Sequence, residues 1–380
     1  MRRLLATLAL AAALSMGSWA QGTNDWQPAT SNLPGAEYPR VHSDLRVTFR
    51  VRAPGAKKVQ VIPGGSDNGL GQGPFDMQQE QEGFWTTTIG PVVPGFHYYW
   101  LLVDGFACND PATQTYFGWN KECSGIEVPE RSVDFYDIKD VPHGEVRTRW
   151  YYSKTTALWR RALVYTPPGY DTETQTRYPV LYLQHGMGEN ERGWTAQGRA
   201  NFILDNLRAA NKARPMIVVM ENGMVAPRAD GSRPAAGPGA NSRRNEAFGA
   251  LVVNDLVPMV DATYRTIPDR THRAIAGLSM GAGQALQIGL ANPDKFAYIG
   301  SFSGGGLGRS GTGIPEPKPL LVWLGAGSAE SGRMTSARVT VETLTRAGIP
   351  AVWFEAPGTS HEWQTWRKCL YDFAPRLFQK

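Results

Sequence analysis

The sequence predicts an α/β protein in which a mostly parallel sheet, covered by helices on both faces, follows a small all-β sandwich. Three observations carry this. Short alternating runs fill residues 45–103 before any helical signal. Buried-type strands and amphipathic helices then alternate to the end of the chain, as parallel strands joined by crossover helices must. Finally, 380 residues exceed what one ordinary core organises, so two domains are expected.

Taken in order, Met1–Ala20 reads as a secretory signal: Arg2 and Arg3 form a basic start, Leu4–Met16 an apolar stretch, and Ser18 and Ala20 a small-residue cleavage site. A membrane anchor is the alternative, but the apolar stretch is short and Gln21-Gly22-Thr23-Asn24 follows without a stop-transfer pattern. A secreted or periplasmic protein with no membrane attachment after cleavage is expected. Residues 21–36 read as a linker. The runs LRVTFRVRAP, KKVQVIPGG, GFWTTTIGP and GFHYYWLLVDG, each bounded by Gly or Pro, then predict an immunoglobulin-like sandwich over 37–129.

A connector over 130–145 leads to the α/β unit, 146–380. Its expected strands are RRALVYTPP, YPVLYLQHG, PMIVVME, HRAIAGLS, YIGSFSGG, PLLVWLGAG and AVWFEAPG. Helices are expected over Arg199–Asn211, in ALVVNDLVPMVDATY, after Ser279, in SARVTVETLTRAG and at the C-terminus. The passage 226–245 is too polar and too rich in Pro and Gly for a core; it reads as a mobile loop, or as a rim of the cleft beyond a parallel strand.

Composition narrows the function. Arg2 and Arg3 supply two of the net +5 charges, so the rest of the chain is too weakly basic to indicate nucleic acid as a partner. Of three cysteines, Cys108 and Cys123 are close enough in sequence to pair in an oxidising compartment, while Cys369 stands alone. The chain has no C-x-x-C or H-E-x-x-H spacing, and no metal or cofactor is expected. Oligomeric state is not legible.

The chemistry centres on IAGLSMGAGQAL. Ser279 lies between Gly277 and Gly281, after an apolar strand and before a small-residue helix, the setting of a nucleophile elbow. Any Cβ two residues either side of the turn would collide, and Gly283 and Ala285 are expected to keep the helix close to the strands. A serine needs a base, and His361, in the loop APGTSHEW, is the histidine that follows Ser279 in the chain. His42 and His97 fall in the β module, His143 in the connector, and His272 just before the nucleophile strand, where surface or packing roles are expected. The acid belongs between Ser279 and His361, beyond a strand. Glu330 in LVWLGAGSAESG fits best; Glu355 is its rival, and Glu342 falls mid-helix. Two backbone N–H groups should hold an oxyanion: that of Met280, and that of Met187 in the HGMG turn after LYLQ.

Together YLQHGMGENERGW, RANFILDNL, IAGLSMGAGQAL, GAGSAES and GTSHEWQTW resemble the feruloyl esterase and acetyl xylan esterase family of carbohydrate esterases, within the esterase D-like α/β-hydrolases. The resemblance covers about 145–380 and implies Ser279 as nucleophile, His361 as base, Glu330 as acid and Met187 and Met280 as oxyanion donors. It departs from the family at Glu330, where aspartate is usual. It further implies a serine esterase acting through an acyl-enzyme on feruloylated or acetylated plant polysaccharide, releasing hydroxycinnamate from arabinoxylan. Acetyl xylan esterase, general carboxylesterase or polyester hydrolase, and inactive carbohydrate binder stand as alternatives. The front module resembles immunoglobulin-like domains related to family 48 carbohydrate-binding modules. Its Trp85, Trp100 and Trp119 are candidates for a sugar platform or for packing. Trp194, Trp363 and Trp366, beside the oxyanion and base loops, are candidates for contact with an aromatic acyl group.

Overall fold

The structure is a computed structural model and describes residues 25–64, 69–225, 240–304, 306–307 and 316–379. The leader expected at 1–20 and residues 226–239 of the polar passage lie outside the described residues. Among those described, no helix is long and apolar enough to cross a membrane.

The front part forms two antiparallel sheets. Its strands are β1 (Trp26–Pro28), β2 (Arg40–His42), β3 (Val47–Arg52), β4 (Val59–Pro63), β5 (Phe75–Asp76), β6 (Gln78–Gln79), β7 (Phe84–Ile89), β8 (Gly95–Val103), β9 (Phe106–Cys108), β10 (Thr115–Gly118) and β11 (Lys121–Val128). One sheet runs β1-β2-β3-β7-β6 and the other β10-β11-β8-β4-β5, with β9 beside β8. The alternation read in the sequence is the burial pattern: Val47, Phe49, Val59, Val61, Tyr99, Leu101, Ile126 and Val128 fill one core. The described part of the stretch expected as a linker, from residue 25 on, instead joins this unit, because β1 pairs with β2 and Asn32 bridges to Thr113.

The second part is an eight-stranded sheet. Its strands are β12 (Glu145–Ser153), β13 (Leu158–Thr166), β14 (Val180–Gln184), β15 (Ile217–Glu221), β16 (Arg273–Leu278), β17 (Tyr298–Phe302), β18 (Leu321–Gly327) and β19 (Ala351–Ala356), in the order β12-β13-β15-β14-β16-β17-β18-β19. From β15 to β19 the pairings are parallel, whereas β12 and β13 run antiparallel at one edge. The helices are α1 (Gly193–Ala196), α2 (Ala200–Ala209), α3 (Ala240–Leu251), α4 (Val257–Thr263), α5 (Met280–Ala291), α6 (Ser331–Arg346) and α7 (Trp363–Phe373). Alternate residues of each central strand divide between two cores: Leu181, Val218 and Ala276 meet α2 and α7, while Tyr182, Val219 and Ile275 meet α3 to α6. Burial on both faces explains why these strands read as continuous apolar runs.

Three expectations are corrected. The pattern gave no strand at β12, because its outward residues Arg149, Trp150 and Tyr152 are exposed and only Tyr151 and Ser153 are buried. The helix expected at ALVVNDLVPMVDATY begins earlier, at Ala240, and passes through a π turn at Val252–Leu256 before α4. Pro258, in the first turn of α4, has no N–H to give to the α-helical ladder, and a π turn is one way for a helix to absorb that loss. Cys108 and Cys123 are free thiols: Cys108 lies opposite Leu101 in register and Cys123 opposite Tyr116, and the Cys123 thiol donates to the Tyr116 carbonyl (3.3 Å).

Candidate active site

The C-terminal ends of five neighbouring parallel strands deliver the chemistry to one rim. The loop 185–192 follows β14, Ser279 follows β16, Ser303 follows β17, Glu330 follows β18 and His361 follows β19. This is the edge at which open α/β sheets bind ligands.

Ser279 sits between β16 and α5 with φ 52° and ψ −111°, a conformation that an L-residue holds only when its surroundings fix it. Those surroundings are the flanking glycines. A Cβ on Gly277 would come within 2.6 Å of the Gly281 backbone, and one on Gly281 within 2.5 Å of the His185 carbonyl oxygen. The elbow therefore closes against the turn at His185 as well as against itself. Gly283, by contrast, faces open space, so it does not serve the close packing expected of it. That role falls to buried Ala285 and to Gly289, where a Cβ would meet Ile299 at 2.6 Å.

The structure brings Ser279, His361 and Glu330 into one hydrogen-bonded chain. His361 Nε2 lies 2.9 Å from Ser279 Oγ, and His361 Nδ1 lies 2.7 Å from Glu330 Oε1. A carboxylate can only accept, so Nδ1 carries the proton and Nε2 is left to receive one from the serine. Glu330 Oε2 accepts from Ser303 Oγ (2.6 Å) and Gly327 N (2.8 Å), and Arg333 Nε stands 3.2 Å from Oε1. Burial pushes the Glu330 carboxyl pKa up, but the bonds from His361, Ser303 and Gly327 outweigh it and hold the group below the usual carboxylate range. The longer side chain of glutamate is thus fully held at the position where the resemblance leads one to expect aspartate. Glu355 is exposed and pairs with Arg338, and Glu342 pairs with Arg346 on the solvent side of α6.

Met280 opens α5, where first-turn N–H groups have no acceptor within the helix, and Met187 lies half-exposed on the cleft wall. The turn carrying Met187 is held by Glu189, whose Oε2 accepts from Gly186 N (3.0 Å). His185 is a structural partner of this turn: its Nδ1 faces the Gly186 carbonyl (2.7 Å) and its Nε2 accepts from Gly223 N (3.0 Å).

These groups open on a cleft of about 430 Å³ walled by both parts of the chain. The α/β part supplies Met187, Ser279, His361, Trp363 and Trp366; the front module supplies Phe96, His97, Tyr98, Trp119 and Asn120. Trp363 and Trp366 line the cleft although both are buried, and Trp366 meets His361 edge to face at 5.1 Å. Trp194 does not line the cleft: it is 1% exposed, gives its N–H to the Gln184 carbonyl and packs behind Trp363. The three front tryptophans do not form one platform. Trp85 lies in the front core and Trp100 is buried with Lys121 over its ring, while Trp119 is exposed at the cleft. His97 is also a cleft residue, buried enough that desolvation pushes its pKa down to about 4.

Sequence reasoning missed Ser303, Glu189, Tyr98 and Asn120, and it named Trp119 only as a candidate for a sugar platform or packing, without placing it in a turn. Trp119 and Asn120 both have positive φ, 55° and 61°, between paired Gly118 and Lys121. Two such residues between paired strands make a tight hairpin turn that ordinarily selects Asn or Gly. A tryptophan there was the one available signal of a special role.

Comparison with known proteins places the chain in a family. The family model "Esterase", described as "Putative esterase", matches residues 153–374. An endo-1,4-β-xylanase/feruloyl esterase of Xylanibacter ruminicola is 40% identical over 365 residues, which take in 93% of this chain and 48% of that one. The chain therefore spans about half the length of that relative. The CE1 ferulic acid esterase of Anaeromyces mucronatus, solved without substrate and with ferulic acid, aligns at 26% identity and TM-score 0.57 over 65% of this chain and 96% of that one. Enterochelin esterase of Shigella flexneri shares the fold across 97% of this chain and 99% of its own, with TM-score 0.65 at 19% identity. The family match takes in the strands and loops that hold Ser279, Glu330 and His361, and the xylanase/feruloyl esterase likeness extends through the front sheets; the chain belongs to the Esterase family.

Proposed function

We propose that this protein is a serine carboxylic ester hydrolase that releases hydroxycinnamates such as ferulate from plant cell-wall arabinoxylan through an acyl-enzyme. The observation that carries the reading is the chain of hydrogen bonds from Ser279 Oγ through His361 to Glu330 on the cleft wall. In the first half-reaction the Ser279 proton passes to His361 Nε2 as Oγ attacks the ester carbonyl, and the oxyanion meets the N–H groups of Met187 and Met280. His361 then returns its proton to the departing sugar oxygen, leaving the acyl group on Ser279. Water, deprotonated by the same imidazole, releases the acid and restores the serine. Glu330 stays ionised and stabilises the imidazolium in both halves.

The substrate class is supported by the name of the Xylanibacter ruminicola relative and by the ferulic acid complex of the Anaeromyces mucronatus enzyme. It is supported as well by aromatic side chains on the cleft wall, Phe96, Tyr98, Trp119, Trp363 and Trp366, which suit a flat acyl group. The leader-like Met1–Ala20 supports action in the periplasm or medium, where such polymers are met. Parallel assays on methyl ferulate and acetylated xylan test the substrate: ferulate release is expected to dominate, and fast acetate release without ferulate overturns it. Labelling with a fluorophosphonate tests the nucleophile, and an unlabelled Ser279 overturns the mechanism.

A further inference from the structure

Glu189 is the feature that the scheme above leaves unused. It is a carboxyl group, 7% exposed, on the wall of the same cleft as Ser279. Its Oε2 accepts from Gly186 N at 3.0 Å, one residue before the proposed oxyanion donor Met187. Its Oε1 accepts from the Tyr98 hydroxyl at 3.2 Å, and Tyr98 belongs to β8 of the front module. Gln197 Nε2 (2.6 Å) and Trp363 Nε1 (3.1 Å) both donate to the Tyr98 oxygen, and since a carboxylate can only accept, the phenolic O–H donates to Glu189. Gln197 is itself oriented by a second bond from the same nitrogen to the Phe117 carbonyl (3.0 Å). Both carboxyl oxygens are thus acceptors, and a proton on either would weaken the bond that oxygen accepts.

We infer that Glu189 is a positioning residue for ester cleavage: through Gly186 it fixes the turn that presents the Met187 N–H, and through Tyr98 it makes that turn depend on the front module. The inference rests on the ester-hydrolase reading above. It gives the front module a part in turnover of small substrates as well as any part in holding polymer. A second contact supports it, since Asn120 N of the hairpin turn donates to the Gly188 carbonyl (2.8 Å) of the same loop. The residues before and after Met187 are therefore each tied, directly or through Glu189, to the module in front.

The surroundings also make the arrangement sensitive to pH. Burial drives the Glu189 carboxyl up to about 7, against the lowering effect of its bonds to Gly186, Tyr98 and Trp363. The titratable groups that face it are Tyr98 on β8 and Cys123 on β11, both kept neutral by burial, the thiol being pushed up to about 12. The donors around the carboxylate are uncharged. The ionised form is the one that holds both bonds most strongly, so turnover falls as pH drops through the neutral range.

The test compares full-length wild type, Glu189→Gln and Tyr98→Phe on methyl ferulate across pH 5–9. Glu189→Gln is expected to lower kcat by about ten- to a hundred-fold, the scale of a misplaced oxyanion donor, with KM changed less than about threefold. Tyr98→Phe removes a donor to the carboxylate and leaves the fold's apolar contacts in place. It is expected to shift the acid side of the kcat profile upward by about half a unit or more. A role confined to stability would lower the amount of folded enzyme without moving that midpoint. Wild-type kcat in Glu189→Gln, or an unmoved midpoint in Tyr98→Phe, overturns the inference. Wild-type protein that cleaves no ester sinks instead the reading on which it rests, so the two failures are told apart by the unmutated control.

Discussion

The strained Ser279 is held by its neighbours and not by its own side chain, so Ser279→Ala is expected to fold normally while kcat falls by about 10⁶-fold. Glu330 and Glu355 separate cleanly by geometry. Glu330→Gln removes the carboxylate that fixes the His361 tautomer and is expected to lower kcat by about 10³- to 10⁴-fold, whereas Glu355→Gln, on an exposed ion pair, changes it less than twofold. Steady-state kinetics on methyl ferulate check all three. Glu330 also links stability to pH. Its native pKa lies below the unfolded value of about 4.3, so its contribution is complete above that value and is lost as pH falls through the lower native one. Thermal melts should accordingly show acid destabilisation below about pH 4 that is weaker in Glu330→Gln.

At the scale of single elements, the two glycines of α5 that look alike in MGAGQAL behave differently in space. Gly281 touches the His185 carbonyl, and Gly281→Ala is expected to cost about 1–3 kcal/mol and to disturb the turn that carries Met187. Gly283 touches nothing within 4 Å, and Gly283→Ala is expected to stabilise the helix by about 0.5–1 kcal/mol. Denaturant titrations of the pair distinguish them. The contrast marks what sequence can convey. The parallel strands β14 to β18 were legible because both of their faces are buried, and the half-buried edge strand β19 because its apolar residues pack on both cores; Ser279, Glu330 and His361 were legible because each follows a parallel strand in the required chain order. The strand β12 was not, since its outward face is aromatic and charged. Nor were Ser303, Glu189 and Tyr98, whose importance comes from contacts between distant parts of the chain: Tyr98 reads in GFHYYWLLV as one more alternating aromatic. Trp194 and Trp363 read alike as well, and only packing puts one behind the other.

Across the whole molecule, the two parts are joined by a buried ion pair. The Arg367 guanidinium, fully buried on α7, is gripped by both oxygens of Glu127 on β11 (2.7 and 2.9 Å) and by the Gln197 carbonyl. Burial raises the Glu127 pKa, yet Arg367 outweighs it and keeps the carboxyl below its ordinary value. Lys368 adds a pair with Glu130 (3.0 Å). Glu127→Gln strands a buried cation and is expected to cost about 3–5 kcal/mol. Because the pair bridges both parts, calorimetry should record one lowered transition spanning the molecule; two separate transitions in the wild type would contradict this coupling.

The hairpin turn at Trp119-Asn120 has a consequence for descent. It borders the cleft that holds Ser279 yet belongs to a surface loop encoded far upstream of that serine, in a part of the chain that holds none of Ser279, Glu330 and His361. Selection can lengthen, shorten or recolour that tip and so alter which alcohol or acid is admitted, while the machinery of bond cleavage is inherited untouched.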